Sequence, residues 1–182
     1  VREKSGPQNT LDTFRVAINA AKERNIRTIV IASNSGDTVK MLLGMSHKWG
    51  SIVCVTHQDG FKELGKNEMD AVTRKKLESY NVKVLTTTHL FRGVERAFMN
   101  KFGGIYPLQI VADTLRIFSQ GVKVCVEIGI MALDAGLIQY KEDVIAIGGT
   151  GRGADTGAVI QPSYSQDFFQ TKIKDIICKP IE

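Results

Sequence analysis

Cysteine, histidine and tryptophan are scarce: the 182 residues hold three cysteines, three histidines and one tryptophan. Cys54, Cys125 and Cys178 are far apart, odd in number and each set in an apolar run. That arrangement argues against a disulfide scaffold and predicts buried thiols in a reducing compartment. His47, His57 and His89 lack the spacing of metal ligands, so no metal is expected. Long apolar runs are missing too. Residues 122–138 come nearest to the roughly 20 residues that span a bilayer, but Lys123, Glu127 and Asp134 interrupt them. Residues 1–10 read as polar with no secretory leader, so the expectation is a cytoplasmic protein without membrane contact. The formal charge is only +5, and basic residues mix with acids, as in "KKLESYNVK" and "AAKERNIR". No basic stripe with interleaved aromatics appears, which argues against nucleic acid as a partner and suits a small anion.

What the chain does have is alternation. Residues 9–24 read as a helix, capped by Asn9 or Thr10, with Leu11, Phe14, Ile18 and Ala21 on one face. Residues 26–32 read as a strand, continuously apolar from Ile29, as a strand covered on both faces must be. A helix over 38–48, with Met41, Leu42 and Met45 inward, leads to a second strand over 51–56. Asn67 is placed to cap a helix reaching Ser79, and "VKVLTT" makes a third strand. Residues 88–137 hold two or three helices with a break at "FGG". Residues 122–128 are β-branched enough for a strand and yet placed for a buried helix. "EDVIAIGG" is a fourth strand, "GAVIQP" a fifth whose Pro162 suits an edge, and "IKDIICKP" a further candidate. The pattern specifies an α/β fold with a mostly parallel open sheet, and no repeat or linker divides residues 1–182.

Two turns carry the chemistry. In "IVIASNSGDTVKMLL", residues 29–43, the polar run Ser33, Asn34, Ser35, Gly36, Asp37 and Thr38 joins a buried strand to a helix. The first N–H groups of a helix are unpaired and sit at the positive end of its dipole, so small hydroxylated residues there suit a phosphate. The plainer reading is that Ser35 or Asp37 caps the helix. No Walker-type Lys follows. The second turn, "GGTGRGADTG" over 148–157, contains Gly149, Thr150, Gly151, Arg152, Gly153, Ala154, Asp155 and Thr156. It is either an anion clamp around Arg152 or a glycine hairpin. Because a strand follows and the spacing is wrong, it is not a dinucleotide fingerprint.

These stretches resemble a known family. "LDTFRVAINAAKERNIRTIVIASNSGDTVKML" followed by "SIVCVTH", with the later "DVIAIGGTGRGADTGAVIQP", resembles the C-terminal domain of pyruvate kinase. More closely, the whole chain resembles stand-alone archaeal and bacterial proteins that have this domain, lack the kinase barrel and hold flavin mononucleotide. The resemblance implies a three-layer fold, a mostly parallel sheet with the last strand antiparallel, and a helical insertion around 87–120. It also implies that the strand ending at Ala32 neighbours the one ending at Gly148. Both turns then open onto the crevice where strand order reverses, and become two walls of one anion site. The metal and phosphoenolpyruvate sites of pyruvate kinase lie in another domain, so kinase activity is not expected.

Weaker candidates complete the picture. Thr56 and His57 end the second strand and either reach the crevice or cap a turn. In "THLFRGVERAF", Thr88, His89 and Arg92 begin a helix; Arg92 reads as a ligand contact or as part of a solvated face. Glu127, inside "VCVEIGIM", needs a buried cationic partner or a functional role with a raised pKa. No nucleophile elbow accompanies His57 or His89, so a hydrolase lacks support. The leading expectation is a protein that binds a phosphorylated small molecule, flavin mononucleotide first, with any redox chemistry belonging to the flavin. The alternative is a regulatory or sensor module that binds a sugar phosphate or nucleotide without catalysis. Homo-oligomer formation is left open.

Overall fold

Strands β1 (Thr28–Ala32), β2 (Ser51–Val55), β3 (Val82–Leu85), β4 (Val144–Gly148), β5 (Thr156–Gln161) and β6 (Lys172–Cys178) form one sheet in the order β3-β2-β1-β4-β5-β6. This computed structural model describes residues 3–181. The readings of residues 1–10 and of one unit over 1–182 therefore extend to Val1, Arg2 and Glu182, which lie outside the described residues. β1 pairs in parallel with β2 and with β4, Ile31 lying beside both Cys54 and Ile147. β5 runs antiparallel to β4, and β6 antiparallel to β5. β6, not β5, is thus the outer strand, so Pro162 follows an interior strand instead of ending an edge.

The helices are α1 (Thr10–Glu23), α2 (Asp37–Leu43), α3 (Ala71–Ser79), α4 (Glu95–Phe102), α5 (Pro107–Arg116) and α6 (Gln120–Asp134). Alternate strand residues serve opposite faces, because successive side chains of a strand point opposite ways. Ile29, Ile31, Cys54 and Ile147 pack with Phe14 and Ala17 of α1, Val39 and Leu42 of α2, and Leu77 of α3. Val30, Val53, Val55, Ala146 and Ile160 pack with Cys125, Ile128 and Met131 of α6. Both faces are therefore covered, which is why the strand sequences are continuously apolar. Each fully buried Ile or Leu contributes about 1.5–3 kcal/mol relative to exposure. α5 lies outside α6, with Ala112 against Val126 and Ile130. All three cysteines are buried and none forms a disulfide. Among the described residues, no helix is long and apolar enough to cross a membrane.

Residues 122–128 belong to α6. Ser119 accepts the Val122 N–H at 3.1 Å and starts the helix, and burial between sheet and α5 overrides the β-branched composition. α6 approaches the sheet closely through glycine: a Cβ on Gly121 would lie 2.0 Å from Thr156 Oγ1, and one on Gly129 2.3 Å from Ile160 Cδ1. Gly129→Leu would push the helix off β5. Other expectations shift. α2 stops at Leu43 and not at 48, and Met41 points outward while Thr38, Val39 and Leu42 are buried. Leu11 is exposed, although Phe14, Ile18 and Ala21 are buried. α3 is capped by Asp70, which accepts the Thr73 N–H at 2.7 Å; Asn67 instead accepts from Met69 N–H in the preceding turn. β3 ends at Leu85, and the Thr86 hydroxyl beyond it accepts from Arg74 Nη2 at 2.5 Å.

Candidate functional site

Because β1 lies between β2 and β4, the chain leaves its C-terminal end in one direction and returns from the other. The crevice beyond such a reversal is the usual ligand position in open α/β sheets. A cavity of about 1210 Å³ occupies it. Of the residues singled out in sequence, Ser33, Asn34, Ser35, Asp37, Thr38, Thr56, His57, Arg92, Gly149, Gly151, Arg152 and Gly153 line it, as do His89 and Glu127.

In the first turn, Ser33 N–H donates to Val55 O at 3.0 Å and ties the turn to β2. The Ser33 side chain is buried, and its Oγ has no hydrogen-bond partner in the structure. Neither Ser35 nor Asp37 caps α2. Ser35 Oγ donates instead to Asp37 Oδ2 at 2.7 Å, and Lys40 Nζ approaches Asp37 Oδ1 at 3.3 Å. The Ser35 hydroxyl and then Lys40 hold the exposed Asp37 carboxyl below its usual range. Gly36, at φ 86°, faces away from the cavity: a Cβ there would meet Thr73 Cγ2 of α3 at 2.7 Å.

The second turn divides into a wall and an anchor. Gly149, Gly151, Arg152 and Gly153 line the cavity, whereas Thr150, Ala154, Asp155 and Thr156 do not. Asp155 is fully buried. It is not paired with Arg152; its Oδ2 accepts Gly6 N–H at 3.0 Å and Thr150 N–H at 3.1 Å, and its Oδ1 accepts the Thr156 hydroxyl at 2.8 Å. Ala154 N–H donates to Thr10 Oγ1 at 3.0 Å, which fastens the turn to α1. Arg152 itself is exposed on the cavity rim.

The third wall follows β2. Thr56 Oγ1 lies 2.6 Å from Thr86 Oγ1, and His57 Nδ1 lies 2.5 Å from Glu68 Oε2. Burial pushes the His57 imidazole down in pKa, and Glu68 opposes that. Phe61 stacks on His57 with centroids 3.8 Å apart, and the Arg92 guanidinium sits 4.6 Å from the same ring. Arg92 is therefore part of the cavity wall and not a solvated helix face.

A fourth wall is built from His89 and Glu127, which the sequence flags without joining them to the crevice. Glu127 is buried, its Oε2 2.5 Å from Lys123 Nζ, its Oε1 accepting Phe91 N–H at 3.2 Å and lying 3.8 Å from His89 Nδ1. Burial alone would raise its pKa, but His89 and Lys123 together outweigh burial and hold it at about 2. The partner reading of Glu127 thus prevails over a raised pKa. The i,i+4 pair Lys123 and Glu127 within an apolar run was the available signal. Nothing in sequence pointed to Phe61. Among the described residues, Arg92, Arg96 and Arg152 line the cavity without an ion pair, an arrangement suited to an anion. No group of three or more His, Cys, Asp or Glu among those residues is placed to hold a metal ion.

The chain is similar to a pyruvate kinase from Cryptosporidium parvum, with 15% identity over 76% of this chain and 20% of that one and a TM-score of 0.37. The ADP complex of Cryptosporidium parvum pyruvate kinase gives 14% identity, 81% and 22% coverage and a TM-score of 0.38. The SAH-bound Podospora anserina methyltransferase PaMTH1 gives 13% identity, 79% and 63% coverage and a TM-score of 0.30. The chain thus spans about a fifth of the length of these pyruvate kinases. Residues 12–160, carrying both turns and the strands they follow, match the family described as "Pyruvate kinase, alpha/beta domain". This chain belongs to the pyruvate kinase alpha/beta domain family.

Proposed function

We propose that this chain binds a phosphorylated small molecule, flavin mononucleotide first among the candidates, in the crevice between its two glycine-containing turns. One observation carries the reading: a buried hydroxyl, Ser33 Oγ, stands unpartnered on a cavity wall that both turns share. Buried polar groups in native proteins nearly always have partners, so an orphan at a cavity wall marks a place for a ligand atom. Ser33, Asn34, Ser35 and Thr38 would hold the phosphate by hydrogen bonds, with Arg152 adding a charge-assisted one. Phe91, Val124 and Ile128 supply apolar lining suited to a flat ring system. The residues present therefore fit the flavin nucleotide at both ends. When bound, the flavin supplies one- and two-electron transfer, while the protein orients it and excludes water. Buried thiols without a disulfide accord with a reducing, cytoplasmic setting.

The test is equilibrium binding by quenching of flavin fluorescence on the full chain. Saturable quenching, reversed by excess inorganic phosphate, is the expected result. Absence of quenching, with a sugar phosphate or nucleotide binding in its place by calorimetry, would transfer the site to a regulatory role. Absence of binding by any of these would overturn the reading.

A further inference from the structure

Opposite the two turns, the cavity ends in a buried set of charges that phosphate binding does not use. Glu127 is only 3% exposed, and Lys123 8%. Lys123 Nζ and the Phe91 N–H fix the carboxylate from two sides, leaving its Oε1 toward His89 Nδ1 at 3.8 Å. That separation exceeds a hydrogen bond but lies within electrostatic reach. The carboxylate therefore favours a proton on Nδ1, and the tautomer of a neutral imidazole is set by such a neighbour. The other nitrogen, Nε2, is left with a free lone pair. It is buried, and it has no hydrogen-bond partner in the structure.

A ring packed beside His89 belongs to a piece of chain closed largely on itself. The Phe61 ring centroid lies 5.3 Å from that of His89, with the planes 29° apart, and Phe61 stacks on His57. It sits between β2 and α3 on a segment without helix or strand, where Gly60 and Gly65 have φ of 71° and 74°. The segment bonds mainly to itself: Gly60 N–H to Lys66 O, Phe61 N–H to Gln58 O, Asn67 to Asp59 and His57 to Glu68. A loop closed on its own contacts can lift without breaking the sheet.

We propose that His89 is the proton-exchanging residue of this cavity, with Glu127 holding its Nδ1 proton and Nε2 serving a ligand that lies where Phe61 now stacks. The proposal rests on reading the cavity as a ligand site and adds what its far end does. The place held by Phe61 is flanked by the His57 ring and the Arg92 guanidinium, so its occupant is a planar π-system. Its edge toward His89 carries an ionisable N–H or O–H. That bond breaks as Nε2–H forms; the ligand keeps the electron pair, and Glu127 balances the imidazolium charge. The return step reverses each change. Other titratable and charged groups on the cavity wall include Lys123 from α6, His57 and Glu68 from the Phe61 segment, and Arg92 beside the Phe61 ring.

The decisive measurement needs no ligand. Long-range proton–nitrogen NMR of the full chain, with His89 assigned through His89→Gln, reads the tautomer directly. The expected result is a protonated Nδ1 and a bare Nε2 in the neutral ring, shifting toward the Nε2–H form in Glu127→Gln. A wild-type His89 in the Nε2–H form overturns the proposal. Should Glu127→Gln not fold, Phe61→Ala provides the second arm: diethyl pyrocarbonate, mapped by peptide mass, should acylate His89 several-fold faster than in wild type. Equal rates would refute the covering role of Phe61 and with it the proposed ligand position. Failure of flavin mononucleotide to bind, with the bare Nε2 in place, would count against the phosphate reading alone.

Discussion

Substituting Asp155 in two ways tests whether the second turn is held by hydrogen bonds or by charge. Its fully buried carboxylate accepts from Gly6 N–H, Thr150 N–H and the Thr156 hydroxyl. Asp155→Ala leaves the buried Gly6 N–H without an acceptor and the half-buried Thr150 N–H dependent on water. Each orphaned donor costs about 1–3 kcal/mol, less where water reaches it, so the total is roughly 3–5 kcal/mol. Asp155→Asn keeps the shape. Its amide oxygen can take both N–H groups while its amide nitrogen donates to Thr156 Oγ1, so the charge assistance and the acceptor of the Thr156 hydroxyl proton are lost, about 1–2 kcal/mol. Urea unfolding followed by the half-buried Trp49 measures both. At an m-value of about 2 kcal/mol/M, the alanine midpoint should fall by about 2 M and the asparagine midpoint by less than about 1 M, with m unchanged. Equal losses in the two variants would show that charge, not hydrogen bonding, anchors the turn. No loss in either would refute the accounting.

Arg152→Ala should remove a charge-assisted contact of about 1.5–3 kcal/mol and weaken flavin mononucleotide binding by roughly ten- to a hundredfold; an unchanged titration would reduce the turn to a hairpin. Gly36→Ala places a Cβ 2.7 Å from Thr73 Cγ2 on a residue at φ 86°, so the unfolding midpoint should drop by an amount worth about 1–3 kcal/mol; an unaltered midpoint would mean that α3 yields freely. The Glu127 carboxyl is depressed on folding from 4.5 to about 2, so its stabilising contribution is complete above pH 4.5 and is lost as pH falls toward 2. Melting temperatures of wild type should therefore decline over that window more steeply than those of Glu127→Gln, and parallel slopes would contradict the assignment. Burial pushes the Cys54 thiol up to about 12, and Cys125 is also raised, so neither should react with a thiol reagent until the chain unfolds; rapid labelling of native protein would show that the core opens.

Much of the fold was legible because local pattern and burial agree. Ile29 to Ile31 had to be apolar without interruption once helices covered both faces, and the two polar turns announced themselves by composition. At Asp155 and Gly36 a contact distant in the chain overrides the local reading. Asp155 reads as part of the anion turn, and in the structure it anchors that turn, because Gly6 and Thr150 both donate to it. Gly36 reads as room for a phosphate, while in the structure it is room for α3.

The sequence by itself determined the α/β alternation, the buried thiols and the chemistry available in each turn, since all three follow from residue type and short-range spacing. Only the tertiary structure decided which of those residues share a cavity. His57 and Phe61, His89 and Arg92, and Lys123 and Glu127 come from three separated stretches. They meet because β1 is flanked by β2 on one side and β4 on the other, which lays α6 against one face of all three strands. Spacing along a chain carries no record of that crossing. The contacts it creates, down to the unpartnered nitrogen of His89, arise from packing alone.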